Sequence, residues 1–332
     1  MKINFYKIFL RSPLLLIAPE IVWKIADLAL AQKWFWKYLS KYFSYSHPNL
    51  KTNFAGIELD SPVGLAAGYD KNCKYLSSLE TFGFGYLVGG TVTFDPRPGN
   101  SKPRMIRIPK EKALINSLGF PGKGLNAAVK VLTNQQMSQA KRFISVSGTD
   151  ISEIKQCIQK LEPFSSAIEL NISSPNTKGL RIFQEYDNLK ELIEQVNSVK
   201  TKPLIVKMPP FKSGDTLNQN NILKLCKLVS EMGVEGLTIS NTLPTKNSKL
   251  AIGEGGLSGA PLFDNTIRMI KLVKSAISEN TQINACGGIS NGKQAFEAIN
   301  AGATTVQIWT SLIYEGPAVV KNIKKELVSN LS

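Results

Sequence analysis

The residues best placed to do chemistry lie in AIELNISSPNTKGLR, residues 167–181, where Asn171, Ser173, Ser174, Asn176 and Thr177 crowd around Pro175. Ala167, Ile168, Leu170 and Ile172 read as a short apolar strand, so the polar group falls at that strand's C-terminal end. The proline steers Ser174 away from the helical region and fixes its own φ, which holds the Ser174 hydroxyl rigidly between two carboxamides. A fixed hydroxyl can serve as a base or nucleophile when its surroundings take its proton. Taken alone, the same residues also spell an ordinary Asn/Ser/Pro turn between a strand and a helix.

The rest of the chain narrows the chemistry. The single histidine, His47, precedes the first core strand, so no imidazole base is on offer, and no Asp/Glu/His cluster has metal-ligand spacing. What remains is the Ser174 hydroxyl, Lys71 and Lys207, and the amides of Asn116, Asn171, Asn176 and Asn241. A carboxamide both donates and accepts, so this set suits a heterocycle that alternates N–H and C=O, such as a pyrimidine. Lysine suits a carboxylate or the negative charge of a reduced cofactor.

These residues need a scaffold that brings strand ends together. Apolar, β-rich runs occur at 63–68, 84–90, 143–147, 166–172, 203–207, 235–240, 282–286 and 303–308. Between them, 185–199, 217–232, 263–278 and 291–301 carry apolar residues at three- and four-residue spacing. Eight βα units imply a closed parallel (β/α)8 barrel, an α/β fold whose chemistry sits at the C-terminal ends of its strands. Those ends carry Asp70 and Lys71, Thr91, Ser145, Asn171 with Ser174, Lys207, Ser240 with Asn241 and Thr242, Gly287-Gly288, and Trp309-Thr310. Gly287-Gly288 and Thr310-Ser311 end the seventh and eighth strands, where barrels bind a phosphate through backbone amides. Residues 92–125 form a long insertion on the same face, with a hairpin or lid expected around Gly119-Phe120-Pro121-Gly122.

Composition is that of a folded globular protein: 332 residues, 43% hydrophobic and 20% charged, without a low-complexity tract. The net charge of +15 points to an anionic partner without choosing among nucleic acid, lipid and small ligand. Cys73, Cys157, Cys226 and Cys286 show neither CxxC pairing nor regular spacing, which suggests free thiols. Residues 1–45 stand apart from the barrel of 46–332, interleaving Trp23, Trp34, Phe35, Trp36, Tyr38, Tyr42 and Tyr45 with lysines. The longest uncharged run there, Ser12 to Pro19, is far short of the ~20 apolar residues a membrane span needs. We read two or three amphipathic helices, punctuated at Ser12-Pro13 and Pro19-Glu20, that lie on a membrane surface or cap the main domain.

Several long blocks resemble one family. SPVGLAAGYDKN (61–72), GFGYLVGGTVTFDPRPGN (83–100), LINSLGF (114–120), NISSPNTKGLR (171–181), VKMPP (206–210), SNT (240–242), GGLSGAPL (255–262), ACGGIS (285–290) and VQIWTSLIYEGP (306–317) are similar to the quinone-dependent, membrane-associated dihydroorotate dehydrogenases. The resemblance implies FMN in the barrel, its phosphate near Gly259, Gly288, Trp309 and Thr310. The ring would lie near Ala67, Gly68, Thr91, Ser145, Asn171, Lys207 and Ser240, with Tyr69, Asp70 and Lys71 also binding the cofactor. It implies dihydroorotate or orotate against Lys71, Asn116, Ser117, Leu118, Gly119, Phe120, Asn171, Asn176, Asn241 and Thr242, with Ser174 as the base. Branches of the family with soluble acceptors carry Cys at that position, so the serine fits the quinone branch.

The resemblance further implies a membrane quinone as second substrate, a tunnel lined by Arg107 and position 23, and peripheral attachment to the cytoplasmic face of an anionic inner or cytoplasmic membrane. Three positions depart from the pattern: Ser145 where Asn is usual, Trp23 where a tunnel His is usual, and Trp309 where Tyr is usual. A tRNA dihydrouridine synthase would suit the charge, but that family uses a Cys acid and an added RNA-binding helical domain, so no nucleic-acid partner is expected. A basic barrel that binds phosphate ligands without turnover would have no need of a fixed serine.

Overall fold

The structure is a computed structural model and describes residue 4 and residues 6–135, 140–173 and 179–331. Eight parallel strands close into a barrel: β1 Val63–Leu65, β2 Tyr86–Val92, β3 Lys141–Val146, β4 Ala167–Asn171, β5 Leu204–Lys207, β6 Gly236–Ile239, β7 Gln282–Cys286 and β8 Thr305–Ile308. Each pairs with its sequence neighbours, and β8 closes on β1 from Val306↔Val63 to Ile308↔Leu65. The strands are apolar because helices cover their outer faces; Leu170, Val206, Leu237 and Ile283 pack against that shell with at most 1% exposure. All eight expected strands are present.

The barrel interior is polar toward its centre and aromatic at its base. A hairpin of Thr52–Phe54 and Ile57–Leu59 plugs the N-terminal end. Phe54 stacks on Phe143 with ring centroids 6.4 Å apart, and Phe143 on Tyr86 at 4.8 Å. Glycine at position 64 makes room for this, since a Cβ there would lie 2.3 Å from Tyr86 Cζ. Above the rings, Tyr86 Oη donates to Asn284 Oδ1 (2.8 Å), Asn284 Nδ2 donates to Thr238 Oγ1 (3.1 Å), and Thr238 Oγ1 donates to Glu169 Oε2 (2.9 Å). This column joins β2, β7, β6 and β4 through side chains.

Two insertions roof the opposite end. Met105–Ile108 and Ala113–Asn116 form the hairpin of the 92–125 segment, turning at Pro109–Glu111. The hairpin expected around residues 119–122 is therefore displaced to 105–116; at Gly122 the only pairing among the described residues is an isolated bridge to Arg97. Residues Leu243–Lys246 and Glu254–Gly259, inserted after β6, extend the sheet by pairing Gly256↔Asn116 through Gly259↔Ala113. The pairing sets Asn116 beside the loop that follows β6.

Among the described residues three α-helices precede the barrel: α1 Arg11–Leu16, α2 Pro19–Leu30 and α3 Lys33–Phe43. Pro19 opens α2 as expected, whereas Pro13 sits inside α1, in its first turn, where a missing N–H is tolerated. Glu20, Trp23, Asp27 and Leu30 share one face of α2 by their spacing. Leu30 is buried, its carbonyl accepts from Ser78 Oγ (2.7 Å), and Glu20 lies 3.4 Å from Arg104 of the roof. The opposite face, Ile21, Ile25 and Leu28, is exposed. On α3, Trp36 and Phe43 pack on Phe82 at 5.0 and 5.8 Å, while Trp34, Tyr38 and Tyr42 face outward. No described helix is long and apolar enough to cross a membrane.

Candidate active site

The strand ends and the roof enclose one large cavity. From the barrel come Ala67, Gly68, Lys71, Thr91, Asn171, Lys207, Ser240, Asn241 and Thr242; from the roof, Asn116, Leu118, Gly119 and Phe120. Gly259, Gly288, Trp309 and Thr310 line it near the ends of β7 and β8. Seventeen of the residues expected from sequence thus meet in one space, drawn from positions between 67 and 310.

A hydrogen-bonded chain fixes the polar wall. Thr91 and Ser145 hydroxyls lie 2.9 Å apart, and Asn171 Nδ2 donates to Thr91 Oγ1 (3.2 Å). Asn171 Oδ1 accepts from Ser173 Oγ (2.8 Å) and Ser173 N (3.1 Å). Asn241 Nδ2 donates to Ser173 Oγ (2.8 Å), and Asn241 Oδ1 accepts from Thr242 N (2.7 Å). The ends of β2, β3, β4 and β6 are therefore tied by side chains, which orients both carboxamides before any ligand arrives. Ser174 and Asn176, the base and substrate contact expected from sequence, lie outside the described residues.

The two lysines differ in surroundings. Lys207, 4% exposed, closes β5; burial opposes its charge, but Cys286 and the Glu169 carboxylate outweigh burial and raise its pKa. Lys71 donates to Gly68 O and sits over the Trp23 ring, Nζ 4.1 Å from the centroid. Burial pulls its pKa down to about 7, against the carboxylates of Asp70 and Asp27 and with help from Arg104.

Several expected contacts sit elsewhere. The Asp70 carboxylate is turned to the backbone, accepting from Lys74 N (2.8 Å) and Tyr75 N (2.5 Å), and burial raises its pKa to about 6. That side chain caps a turn rather than facing the cavity. Tyr69 packs edge-on against Trp309 at 5.5 Å, Ser117 is buried beneath the roof, and Ser145 is fully buried behind Thr91. Arg107 Nη1 donates to Leu14 O (2.7 Å) and Nη2 to Ile17 O, so it clasps the α1–α2 turn; Trp23 meets the cavity through Lys71. His47 Nδ1 accepts from Asn49 N (3.2 Å), a local cap.

Among the other residues of the site Gln307 was not expected from sequence, while Ser173 and Ser311 were named only as neighbours of Ser174 and Thr310. Ser173 is the bridge of the carboxamide network, yet by type it is indistinguishable from its neighbour Ser174. Gln307 and Ser311 line the cavity, and among the described residues Gln307 Oε1 and Ser311 Oγ are buried polar atoms without a hydrogen-bond partner. Thr310 Oγ1 donates to Ser258 Oγ (2.9 Å), joining the eighth unit to the roof. The helix Thr310–Glu315 starts here without a side-chain cap, and Gly288 admits Phe263, whose N would lie 2.4 Å from a Cβ at that position. Unsatisfied donors and acceptors on the wall, uncapped amides at a helix start and a buried cation fit a planar, phosphorylated heterocyclic cofactor.

Comparison with known proteins agrees with this geometry. A family model described as dihydroorotate dehydrogenase matches residues 49–331. A protein of Neisseria meningitidis serogroup C named dihydroorotate dehydrogenase (quinone) is 37% identical, over 82% of this chain and 85% of that one. A protein of the same name from Coxiella burnetii is 35% identical, over 95% of this chain and 94% of that one. The crystal structure of DHODH from Eimeria tenella in complex with ferulenol matches with a TM-score of 0.80 at 28% identity, covering 94% of this chain and 91% of that one. With that family model running through all eight barrel strands and relatives aligned along most of the chain, the protein belongs to the dihydroorotate dehydrogenase family.

Proposed function

We propose that the protein oxidises dihydroorotate to orotate in pyrimidine biosynthesis, with FMN as resident flavin and a membrane quinone as terminal acceptor. The observation that carries this reading is the tied pair of carboxamides, Asn171 and Asn241 joined through Ser173, in a cavity that also holds Asn116, Lys71 and Lys207. Fixed amides match the alternating N–H and C=O edge of a dihydropyrimidine, and Lys71 is the cation for its carboxylate.

Bound FMN supplies the acceptor for the hydride that leaves C6 of dihydroorotate. Ser174 takes the proton from C5, so the C5–C6 bond becomes double and two electrons leave the substrate. The network fixes Ser173, the last described residue of that loop, against Asn171 and Asn241. Lys207, kept cationic, would offset negative charge on the flavin, and Thr91, Asn171 and Ser240 are the polar groups that would face its ring. Gly259, Gly288, Trp309 and Thr310, together with Ser311, are the residues for its phosphate.

Residues 1–45 serve as the membrane and quinone-access segment. Its outward Ile21, Ile25 and Leu28 on α2 and Trp34, Tyr38 and Tyr42 on α3 form an apolar, aromatic surface, and Lys41 lies 4.7 Å from the Tyr38 ring. That composition suits shallow insertion at the headgroups of an anionic bilayer on its cytoplasmic side. The test is the visible spectrum of the purified protein: flavin bands should bleach on anaerobic addition of dihydroorotate and return on addition of a quinone. A colourless protein, or bands indifferent to dihydroorotate, would overturn the reading.

A further inference from the structure

The inner face of α2 ends on the lysine proposed to bind the substrate carboxylate. Lys71 Nζ lies 4.1 Å from the Trp23 ring centroid, and Asp27, one turn on along the helix, sets its carboxylate toward Lys71 and Lys74. The helix is tied to the barrel at both ends, Glu20 lying 3.4 Å from Arg104 and 3.6 Å from Lys102, and the Leu30 carbonyl accepting from Ser78 Oγ. Lys71 itself projects from the loop after β1 into the cavity, where its first hydrogen goes to Gly68 O, leaving two donors for a ligand.

We infer that Trp23 and Asp27 are positioning residues for substrate binding: the ring face and carboxylate of the N-terminal helix hold Lys71 as an ammonium aimed into the cavity. This rests on the reading of Lys71 as the carboxylate's partner. The groups that face Lys71 are Asp70 from its own loop, Asp27 and Trp23 from α2, and Arg104 from the roof; Lys74 in turn faces Asp27. Of these, Asp70 is the larger carboxylate support, held in place by two backbone amides, and Arg104 disfavours a second cation. Asp27 and the Trp23 ring are then the groups on α2 that favour the charged form. A cation over a tryptophan face gains ~0.5–2 kcal/mol, rising as water is excluded. Lys71 in the free protein loses its proton near pH 7, so small losses of support remove the ammonium in the range where the protein must bind an anion.

The experiment is calorimetric titration of orotate into the flavin-loaded protein from pH 6 to pH 9, for wild type, Trp23→Leu, Trp23→Phe, Asp27→Asn and Lys71→Ala. Wild-type affinity should be flat at acid pH and weaken above the Lys71 pKa. Trp23→Leu should weaken binding ~3- to 10-fold, which is the loss of a cation–π contact of that size, and Trp23→Phe should restore most of it. Asp27→Asn should move the alkaline fall in affinity to lower pH, an effect that loose packing alone would not produce. If Lys71→Ala abolishes tight binding while Asp27→Asn and Trp23→Leu keep the wild-type pH profile and affinity, the inference is overturned and the Lys71 assignment stands. Undiminished orotate binding by Lys71→Ala would overturn the assignment itself, and with it the inference.

Discussion

Asn241 Nδ2 donates to Ser173 Oγ across 2.8 Å, so the loop after β6 is latched to the loop after β4 at the cavity wall. Cutting this latch with Asn241→Ala removes two hydrogen bonds, the one to Ser173 Oγ and the one from Thr242 N, together with one substrate amide. Orotate affinity should fall ~10-fold or more, and stability by about 2 kcal/mol, at about 1 kcal/mol net per hydrogen bond. Ser173→Ala, which cuts the latch and keeps both amides, should show the stability loss with a smaller affinity loss. Equal affinity losses in the two variants would mean that Asn241 acts only as a strut.

Ser174→Ala should leave flavin bound and orotate affinity nearly unchanged while slowing flavin reduction by at least ~10², the usual contribution of a general base. Stopped-flow reduction with saturating dihydroorotate measures this. Because a hydroxyl is protonated at neutral pH, the wild-type rate at saturation should climb toward alkaline pH. A flat profile would assign the proton to another group.

Lys71 and Lys207 should separate by phenotype. Lys207→Ala should impair flavin retention or reduction, since the Glu169 carboxylate favours its charged form despite burial; Lys71→Ala should chiefly raise the concentration of dihydroorotate needed. The pH sign follows from Lys71: its ammonium is present below about pH 7 and lost above, while the substrate carboxylate stays ionised throughout. Half-saturation should therefore rise with pH above about 7 even as the saturated rate increases, giving a maximum in kcat/KM. A half-saturating concentration that does not change from pH 6 to pH 9 would contradict the assignment.

Removing residues 1–45 should abolish turnover with a long-chain quinone and release the protein from anionic vesicles. The vesicle binding of the intact chain should weaken with salt, since each Lys or Arg near the surface contributes ~1 kcal/mol screened over ~10 Å at 0.1 M. Single-turnover reduction should survive at raised dihydroorotate concentration, because Trp23 and Asp27 go with the segment. The cut exposes the Phe82 ring now covered by Trp36 and Phe43, so folding is checked by melting before activity is compared. Full-rate reduction of a long-chain quinone by folded, yellow, truncated protein would refute the access role.

The barrel was legible because parallel strands sheathed by helices are continuously apolar, as in Leu170 or Val206, and their ends are marked by residues such as Lys207 and Asn171 that packing would not select. The roof was not. Its strands 105–108 and 113–116 are short, and one partner strand, Glu254–Gly259, lies far along the chain, so a glycine-rich turn at 119–122 looked like the better hairpin. Asp70 illustrates a second limit: a carboxylate at a strand end has the right address, but only the backbone course shows that Lys74 and Tyr75 amides claim it. Asp27 and Glu169 were invisible for the converse reason. Single acids within apolar runs read as solvated until folding places one by Lys71 and the other inside the barrel.

The column of polar side chains within the barrel makes the protein's tolerance of substitution uneven from one residue to the next along a single strand. Leu237 faces the helical shell, where a swap of similar volume such as Leu→Met costs less than ~1.5 kcal/mol. Its neighbour Thr238 holds Glu169 with its proton and Asn284 with its lone pair, so the near-isosteric Thr238→Val removes both bonds inside the buried barrel at ~1–3 kcal/mol each. A library screened for thermal survival should therefore accept variation at alternate positions of β6 and reject it between them, a two-residue rhythm written by hydrogen bonds rather than by volume.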